Sequence, residues 1–189
     1  MKTRRKTISV VISLLLTTSI FASCKKKDQY PIIQNYKQYK NANFSFQYPA
    51  DWIITENSTN VTITGPQQDS YFVNLKVDYN DEINMSLDEF TKTVLDQNNI
   101  KALPAFEDKG KINLDLPAGK AVQQSLCTNV NTAFSSEPIK LFVTLTFIVQ
   151  DAKIGYVITT EVPNRVYQNY NEIFTNIKNS FRYVALKKS

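Results

Sequence analysis

The feature that most limits the fold of this chain is the alternation of apolar and polar residues between positions 139 and 150. Apolar side chains occupy every second position in most of this segment: Leu141, Val143, Leu145, Phe147 and Val149. An extended chain places such a set on one face, whereas a helix would distribute it around the axis. The pattern therefore predicts a long β-strand with one buried face.

Seven further segments favour an extended chain. Phe44, Phe46 and Tyr48 share one face of an early strand. Residues 71–79 alternate over a longer stretch. The remaining predicted strands cover residues 52–54, 61–64, 112–116, 120–130 and 154–161. Gly, Pro and Asp residues between these segments indicate turns, so we expect neighbouring strands to pair in an antiparallel manner.

The period changes to that of a helix in two places. Ser86 and Glu89 have the spacing of a capping box, and apolar residues follow at helical spacing as far as Leu95. A second helix is predicted after Pro163, with an apolar stripe at Val166, Tyr170, Ile173, Phe174, Ile177 and Phe181. This order of elements predicts an α+β domain, in which a single antiparallel sheet is flanked by two main helices.

The first 23 residues have the arrangement of a secretory signal peptide: a basic start, an apolar run over residues 8–22 and small residues before Cys24. The run is shorter than the roughly 20 residues that a spanning helix needs. Phe21-Ala22-Ser23-Cys24 resembles a bacterial lipobox, although Phe21 stands where Leu is usual. We favour a lipoprotein with Cys24 as its lipid attachment site. The alternative is ordinary secretion with a free Cys24.

These features divide the chain into four parts. They are a lipoprotein signal peptide (1–23), a tether (24–40), a folded domain (41–184) and a polar tail (185–189). The tether is polar and rich in tyrosine, and it has no clear period. The folded part has the length of one ordinary domain and shows no internal repeat.

Composition argues against several function classes. The chain has 22 basic and 17 acidic residues, but four of the basic residues lie within the first six positions, so the mature part is close to neutral. A nucleic-acid partner is therefore not expected. Histidine is absent, which removes the commonest general base and the usual zinc ligand. We expect neither catalysis nor a cofactor nor a metal site.

Two aromatic residues and one cysteine are candidate site residues. Tyr48 and Trp52 could border a ligand groove, but aromatic side chains supply much of the buried area of protein cores, so we assign both to the core. Cys127 lies on a predicted strand, on the face opposite Val122 and Leu126. A reactive thiol needs a neighbouring cation or helix start to lower its pKa. We therefore interpret Cys127 as a buried or half-buried, unreactive thiol.

Three acidic residues follow the fourth predicted strand. Asp78, Asp81 and Glu82 carry oxygen ligands of the kind that calcium or manganese prefers. Their spacing does not match an EF-hand loop, and the glycine that this loop needs is missing. We therefore interpret the segment as a solvated loop and assign no residue to metal binding.

Four segments together resemble the PsbP-like family, which includes PsbP and DcrB-related bacterial lipoproteins. Asn43 to Trp52 reads NFSFQYPADW, where an aromatic strand ends in Tyr-Pro and Trp follows two residues later. The capped helix SLDEF at 86–90, the strand YVIT at 156–159 and the helix end NSFRY at 179–183 also resemble that family. The resemblance covers residues 40–183.

The resemblance implies a PsbP-like α/β/α sandwich and a binding or assembly role without catalysis. Some photosynthetic members carry metal sites that use His, and this chain has none to place there. We expect an extracytoplasmic lipoprotein of the cell envelope, anchored to the bilayer through acylated Cys24. Its domain would bind a membrane or envelope protein, or help such a complex assemble, with ligand-binding residues not yet assigned. The alternatives are an extrinsic or assembly subunit of photosystem II, and a lipoprotein that binds a small ligand or metal.

We predict that the Cys24→Ala variant incorporates no radiolabelled palmitate, because acylation requires the thiol at the lipobox position. The measurement is labelling of cells that express the full chain, followed by purification of the chain. Cys127→Ala is the matched control and is expected to label as the parent chain does. Equal labelling of Cys24→Ala and the parent would contradict the lipoprotein interpretation.

Overall fold

A computed structural model describes residues 33–184 of the chain. The predicted signal peptide, the lipid attachment site at Cys24 and the polar tail lie outside these residues. Within them the helices are α1 (Leu87–Gln97) and α2 (Tyr167–Ser180). The strands are β1 (Tyr36–Lys40), β2 (Phe44–Pro49), β3 (Ile53–Glu56), β4 (Asn60–Gln68), β5 (Tyr71–Asn80), β6 (Glu107–Leu116), β7 (Gly119–Val130), β8 (Ile139–Gln150), β9 (Ile154–Pro163) and β10 (Arg182–Tyr183).

The described strands form two antiparallel sheets, so the predicted α+β class is confirmed but the prediction of a single sheet is wrong. The larger sheet has seven strands in the order β3-β4-β5-β9-β8-β7-β6. The smaller one has the order β1-β2-β10. A two-residue period shows which side chains of a strand face a core, but it does not show which strand is the partner. Here β2 pairs with β1 and β10 instead of joining the larger sheet.

Residues 36–40, which the sequence analysis places in the tether, form strand β1. This strand pairs with β2 in a register that joins Tyr36 to Pro49 and Lys40 to Ser45. The ring of Tyr39 lies 5.1 Å from that of Phe46, so the segment contributes to the core. Three of its five residues are polar lysines or glutamine exposed to solvent, which explains why the sequence resembles a linker.

Strand β6 begins at Glu107 and is therefore longer than the predicted strand at 112–116. A β-bulge between Asp108 and Gly110 shifts the register against β7. Gly110 has a φ of 98°, which glycine adopts easily. The bulge interrupts the alternation of side chains, so the period seen in the sequence starts only after it.

One face of the larger sheet carries the main core. Helix α2 and the small sheet cover this face, with Tyr170, Phe174 and Ile177 of α2 buried. Phe44 of β2 and Phe181, which directly precedes β10, are fully buried against Tyr156 of β9. The ring centroids of these three residues lie 5.2 to 5.9 Å from one another. Stacked and edge-on aromatic pairs of this kind add to the free energy of burial.

Helix α1 packs on the opposite face of the same sheet. The predicted capping box is present: Ser86 accepts from the Glu89 amide at 3.3 Å, and the Glu89 carboxylate accepts from the Ser86 amide at 2.9 Å. Phe90 lies over Gly155 of β9 and edge-on to Phe147 of β8, 6.3 Å between ring centroids. No helix in residues 33–184 has the length and apolar character that crossing a bilayer requires.

We predict that Gly155→Ala destabilises the domain by about 1–3 kcal/mol, the range for an overpacked core. An added Cβ would lie 2.5 Å from Cζ of Phe90, so α1 would have to move away from the sheet. The measurement is urea unfolding followed by circular dichroism. Adding Phe90→Leu should reduce the loss, because the smaller side chain leaves room for the Cβ. A Gly155→Ala variant as stable as the parent would show that α1 is not seated on this glycine.

Candidate functional site

A groove of about 1070 Å³ lies on the sheet face that carries α1. Seven strands spaced about 4.8 Å apart make a sheet roughly 29 Å wide, whereas one helix is about 10 Å across. Helix α1 packs on β7 and β8 and reaches β9 through Phe90. It therefore leaves the β5 side of this face uncovered, and the groove runs between α1 and β5.

Strand alternation determines which side chains form the floor of the groove. On β8 the inward positions are apolar, and on β9 they change from apolar to polar toward the end of the strand. The cross-strand register joins Val157 to Asp78 and Thr159 to Lys76. The floor is formed by Leu141, Val143, Leu145, Val157, Thr159 and Glu161.

The wall opposite β5 consists of α1 and the segment that follows it. After α1, Asn99 and Ala105 adopt positive φ angles of 46° and 50°, which turn the chain back toward the sheet. The carbonyl of Pro104 accepts hydrogen bonds from the Thr128 hydroxyl at 2.8 Å and from the Asn129 amide at 2.9 Å. These bonds hold the segment against β7, so this wall of the groove is fixed by the backbone.

Two polar pairs of the groove lie on β5 and β9. The Tyr71 hydroxyl donates to Oε2 of Glu161 at 2.5 Å. Burial, followed by the negative charge of Glu161, raises the pKa of the Tyr71 hydroxyl above its usual range, so the phenol keeps its proton. Lys76 forms an ion pair with Asp78 at 2.8 Å. The apolar floor thus has two polar pairs along one side.

The three acidic residues considered in the sequence do not come together. Asp78 and Glu82 line the groove, but Asp78 is paired with Lys76 and Asp81 does not border the groove. The Glu82 amide donates to the Asn80 side chain at 3.1 Å, as in a solvated turn. Among residues 33–184, no three His, Cys, Asp or Glu side chains are close enough to hold a metal ion.

Tyr48 and Trp52 are buried in the main core, as predicted, and neither borders the groove. The Trp52 indole covers Gly65 and meets Phe174 of α2 edge-on, 6.3 Å between ring centroids. Cys127 is fully buried on the face opposite Leu126, and its thiol lies 3.4 Å from the Asn164 side-chain oxygen. Burial raises the pKa of the Cys127 thiol, which disfavours the reactive thiolate.

A second group of polar side chains lies beneath α2, and no motif in the sequence marks it. The Lys178 ammonium donates to Oε1 of Gln123 at 2.6 Å, and the Thr146 hydroxyl donates to the same oxygen at 3.3 Å. Burial lowers the pKa of Lys178 to about 8. These residues lie between packed elements and do not border the groove, so they fit a structural role better than ligand binding.

The groove could not be read from the sequence, although the three floor residues on β8 were assigned to the buried face of that strand. The predicted inward face of β8 is correct, because Leu141, Val143 and Phe147 are buried. The sequence pattern does not show how much of that face one short helix covers. The sequence held one signal of the groove on β9. There the apolar Val157 is followed at alternate positions by the polar Thr159 and Glu161, although the rest of that strand face is apolar.

Comparison with solved structures finds the same fold in proteins of low sequence identity. The Ran-binding protein Mog1p of Saccharomyces cerevisiae is 14% identical, with a TM-score of 0.54 over 78% of this chain and 94% of Mog1p. Cyanobacterial PsbP (CyanoP) from Synechocystis sp. PCC 6803 is 14% identical, with a TM-score of 0.53 over 80% of this chain and 94% of CyanoP.

LpqN of Mycobacterium tuberculosis, described as involved in cell envelope biogenesis, is 12% identical, with a TM-score of 0.52 over 79% of this chain and 92% of LpqN. No protein-family profile and no curated protein matches the chain. At these identities the likeness establishes the fold, which is of the PsbP/Mog1-like kind. The relation to DcrB stays a prediction.

We predict that Lys178→Met makes the domain more stable at pH 7 by about 2 kcal/mol, because methionine avoids the cost of burying a charged ammonium. The folded-state pKa of Lys178 is about 8, below the 10.5 of a free lysine. The folded protein therefore releases this proton first, and the parent gains stability as pH rises from 8 to 10.5.

Urea unfolding at pH 7, 8, 9 and 10 measures this difference. The advantage of Lys178→Met over the parent should shrink as pH rises, since the parent's lysine becomes neutral. Lys92→Met, on the exposed side of α1, is the matched control and should show no such trend. An advantage that stays constant with pH would contradict the argument.

Proposed function

We propose that this chain is a lipoprotein displayed outside the cytoplasm and anchored through acylated Cys24. Its folded domain is a non-catalytic module that binds a protein of the cell envelope and supports the assembly of a complex there. The groove between α1 and β5 is the binding surface. The observation that carries this proposal is the large, mainly apolar groove that the short helix α1 leaves open on the sheet.

The anchor is supported by the signal sequence. Two acyl chains on one cysteine hold a protein at a bilayer far more firmly than a single chain. The lysines at 25–27 follow directly after Cys24 and suit a position at anionic headgroups. A binding module fixed in this way meets other envelope proteins at a raised local concentration.

The chemistry of the groove supports binding better than catalysis. Its side chains supply apolar area, carboxamides, hydroxyls and carboxylates, and the chain contains no histidine to act as a general base. The Tyr71 and Lys76 side chains are held by Glu161 and Asp78, so neither is an activated nucleophile. Large concave apolar surfaces with a few fixed polar groups are typical of ligand-binding sites.

Another protein with this fold is named for its binding function. Mog1p is named a Ran-binding protein, and LpqN is described as involved in cell envelope biogenesis. Those descriptions belong to proteins that share 12–14% of their residues with this chain. They support a binding role on this fold, and the groove of this chain supplies the surface for one.

Site-specific crosslinking in cells tests the proposal. A photoreactive amino acid replaces Leu103, on the wall of the groove, and in a second strain it replaces Glu172, exposed on α2 at the opposite face. We expect a discrete envelope protein to crosslink from position 103 and not from position 172. The same crosslink should be lost when Cys24→Ala removes the anchor.

Other outcomes have defined meanings. A partner crosslinked from position 172 alone would place the binding surface on α2 and contradict the use of the groove. No protein crosslink from either position would contradict a protein partner and favour a small ligand, which native mass spectrometry of the purified chain would then detect.

A further inference from the structure

The dimensions of the groove limit what can fill it, given the proposed function. Its lining on β5 extends from Tyr71 to Asn80. Because a strand rises about 3.3 Å per residue, this distance is about 30 Å. A compact metabolite would occupy a small part of such a groove. An extended chain molecule, lying parallel to β5, would use all of it.

The polar groups along the walls favour a peptide over an acyl chain. Five carboxamide side chains line the groove: Asn80, Gln97, Asn98, Asn129 and Asn131. Asn80 accepts from the Glu82 amide and Asn98 donates to the Val94 carbonyl, so within residues 33–184 the other three offer both polar atoms of their carboxamides to a ligand. An acyl chain would cover these groups without offering hydrogen bonds, and a buried polar group without a partner costs about 1–3 kcal/mol. A peptide backbone offers a donor and an acceptor at nearly every residue, so it can satisfy them along the whole length.

The charge of the groove selects basic side chains. Its charged lining residues are Asp78, Glu82, Glu161 and Lys76. Lys76 forms an ion pair with Asp78, so the carboxylates of Glu82 and Glu161 remain. Oε2 of Glu161 accepts the Tyr71 hydroxyl, and the Glu161 side chain forms no other hydrogen bond or ion pair within residues 33–184. The half-buried Glu161 and the exposed Glu82 are therefore available to lysine or arginine of a ligand.

We propose that the groove binds an extended peptide segment of about nine residues from the envelope partner, in which apolar and basic side chains alternate. Successive side chains of an extended peptide point in opposite directions. The apolar set would rest on Leu141, Val143 and Val157. The long, flexible basic side chains would reach Glu82 beside the groove and Glu161 at the polar end of its floor. This composition matches a groove whose floor is apolar except at Thr159 and Glu161, and which offers the carboxylates of Glu82 and Glu161 to a ligand.

Three labelled nonapeptides test this proposal on the full chain held in nanodiscs of neutral phosphatidylcholine. In the first, valine and lysine alternate; in the others, glutamate or serine replaces each lysine. Fluorescence anisotropy, with empty nanodiscs as the baseline, gives each Kd. We expect the lysine peptide to bind about tenfold more tightly than the serine peptide, as for one charge-assisted hydrogen bond, and the glutamate peptide to bind most weakly.

A matched pair of double variants shows whether the carboxylates of Glu82 and Glu161 cause the preference. Glu82→Gln with Glu161→Gln removes both while keeping side-chain shape, and it should abolish the preference for lysine over serine. Asp51→Asn with Glu172→Gln makes the same change in charge at exposed positions that do not line the groove. This control should keep the preference. Thermal unfolding confirms that both variants are folded.

Three results would overturn the inference. They are equal binding of the lysine and glutamate peptides, a preference for lysine that survives Glu82→Gln with Glu161→Gln, and displacement of the lysine peptide by a neutral single-chain lysolipid. The last result would identify an acyl chain as the occupant. If position 103 still crosslinks an envelope protein in cells, the proposed function stands while the peptide inference fails. If that crosslink is absent as well, both fail.

Discussion

The contact between Phe90 and Gly155 determines where α1 lies, and the groove depends on it. The phenyl ring rests directly on the backbone of β9, in the space that any side chain at position 155 would occupy. Phe147 of β8 meets the ring edge-on and Val122 of β7 belongs to the same cluster. The helix is therefore held over β7 to β9, and the surface toward β5 remains open.

The two faces of the larger sheet have different coverings and different roles. One face is closed by α2, by a second sheet that adds Phe44 and Phe46 to the core, and by Phe181 between α2 and β10. The other face is covered by a helix of 11 residues and a short segment anchored at Pro104. The closed face supplies most of the buried area, so the open face can keep a groove without loss of the core.

The polar pairs in the molecule differ in what surrounds them. Tyr71 and Glu161 lie at the groove, where a ligand can reach the carboxylate. Lys178 and Gln123 lie under α2, and the cost of burying that ammonium appears as a lowered pKa. Similar hydrogen bonds thus lie beside an open groove in one place and between packed elements in the other. The α/β/α arrangement, shared with Mog1p and CyanoP, separates the two.

The sequence by itself determined the element types, because side-chain period and capping are local. The alternation at β8, the capping box at Ser86 and the burial of Trp52 and Cys127 were all predicted correctly. The tertiary structure decided the rest. Strand β1 forms because it pairs with the edge of β2. The bulge at Gly110 interrupts the two-residue period, so the sequence pattern does not show where β6 begins. The groove exists because one short helix is narrower than the sheet beneath it, and no local pattern records that difference in width.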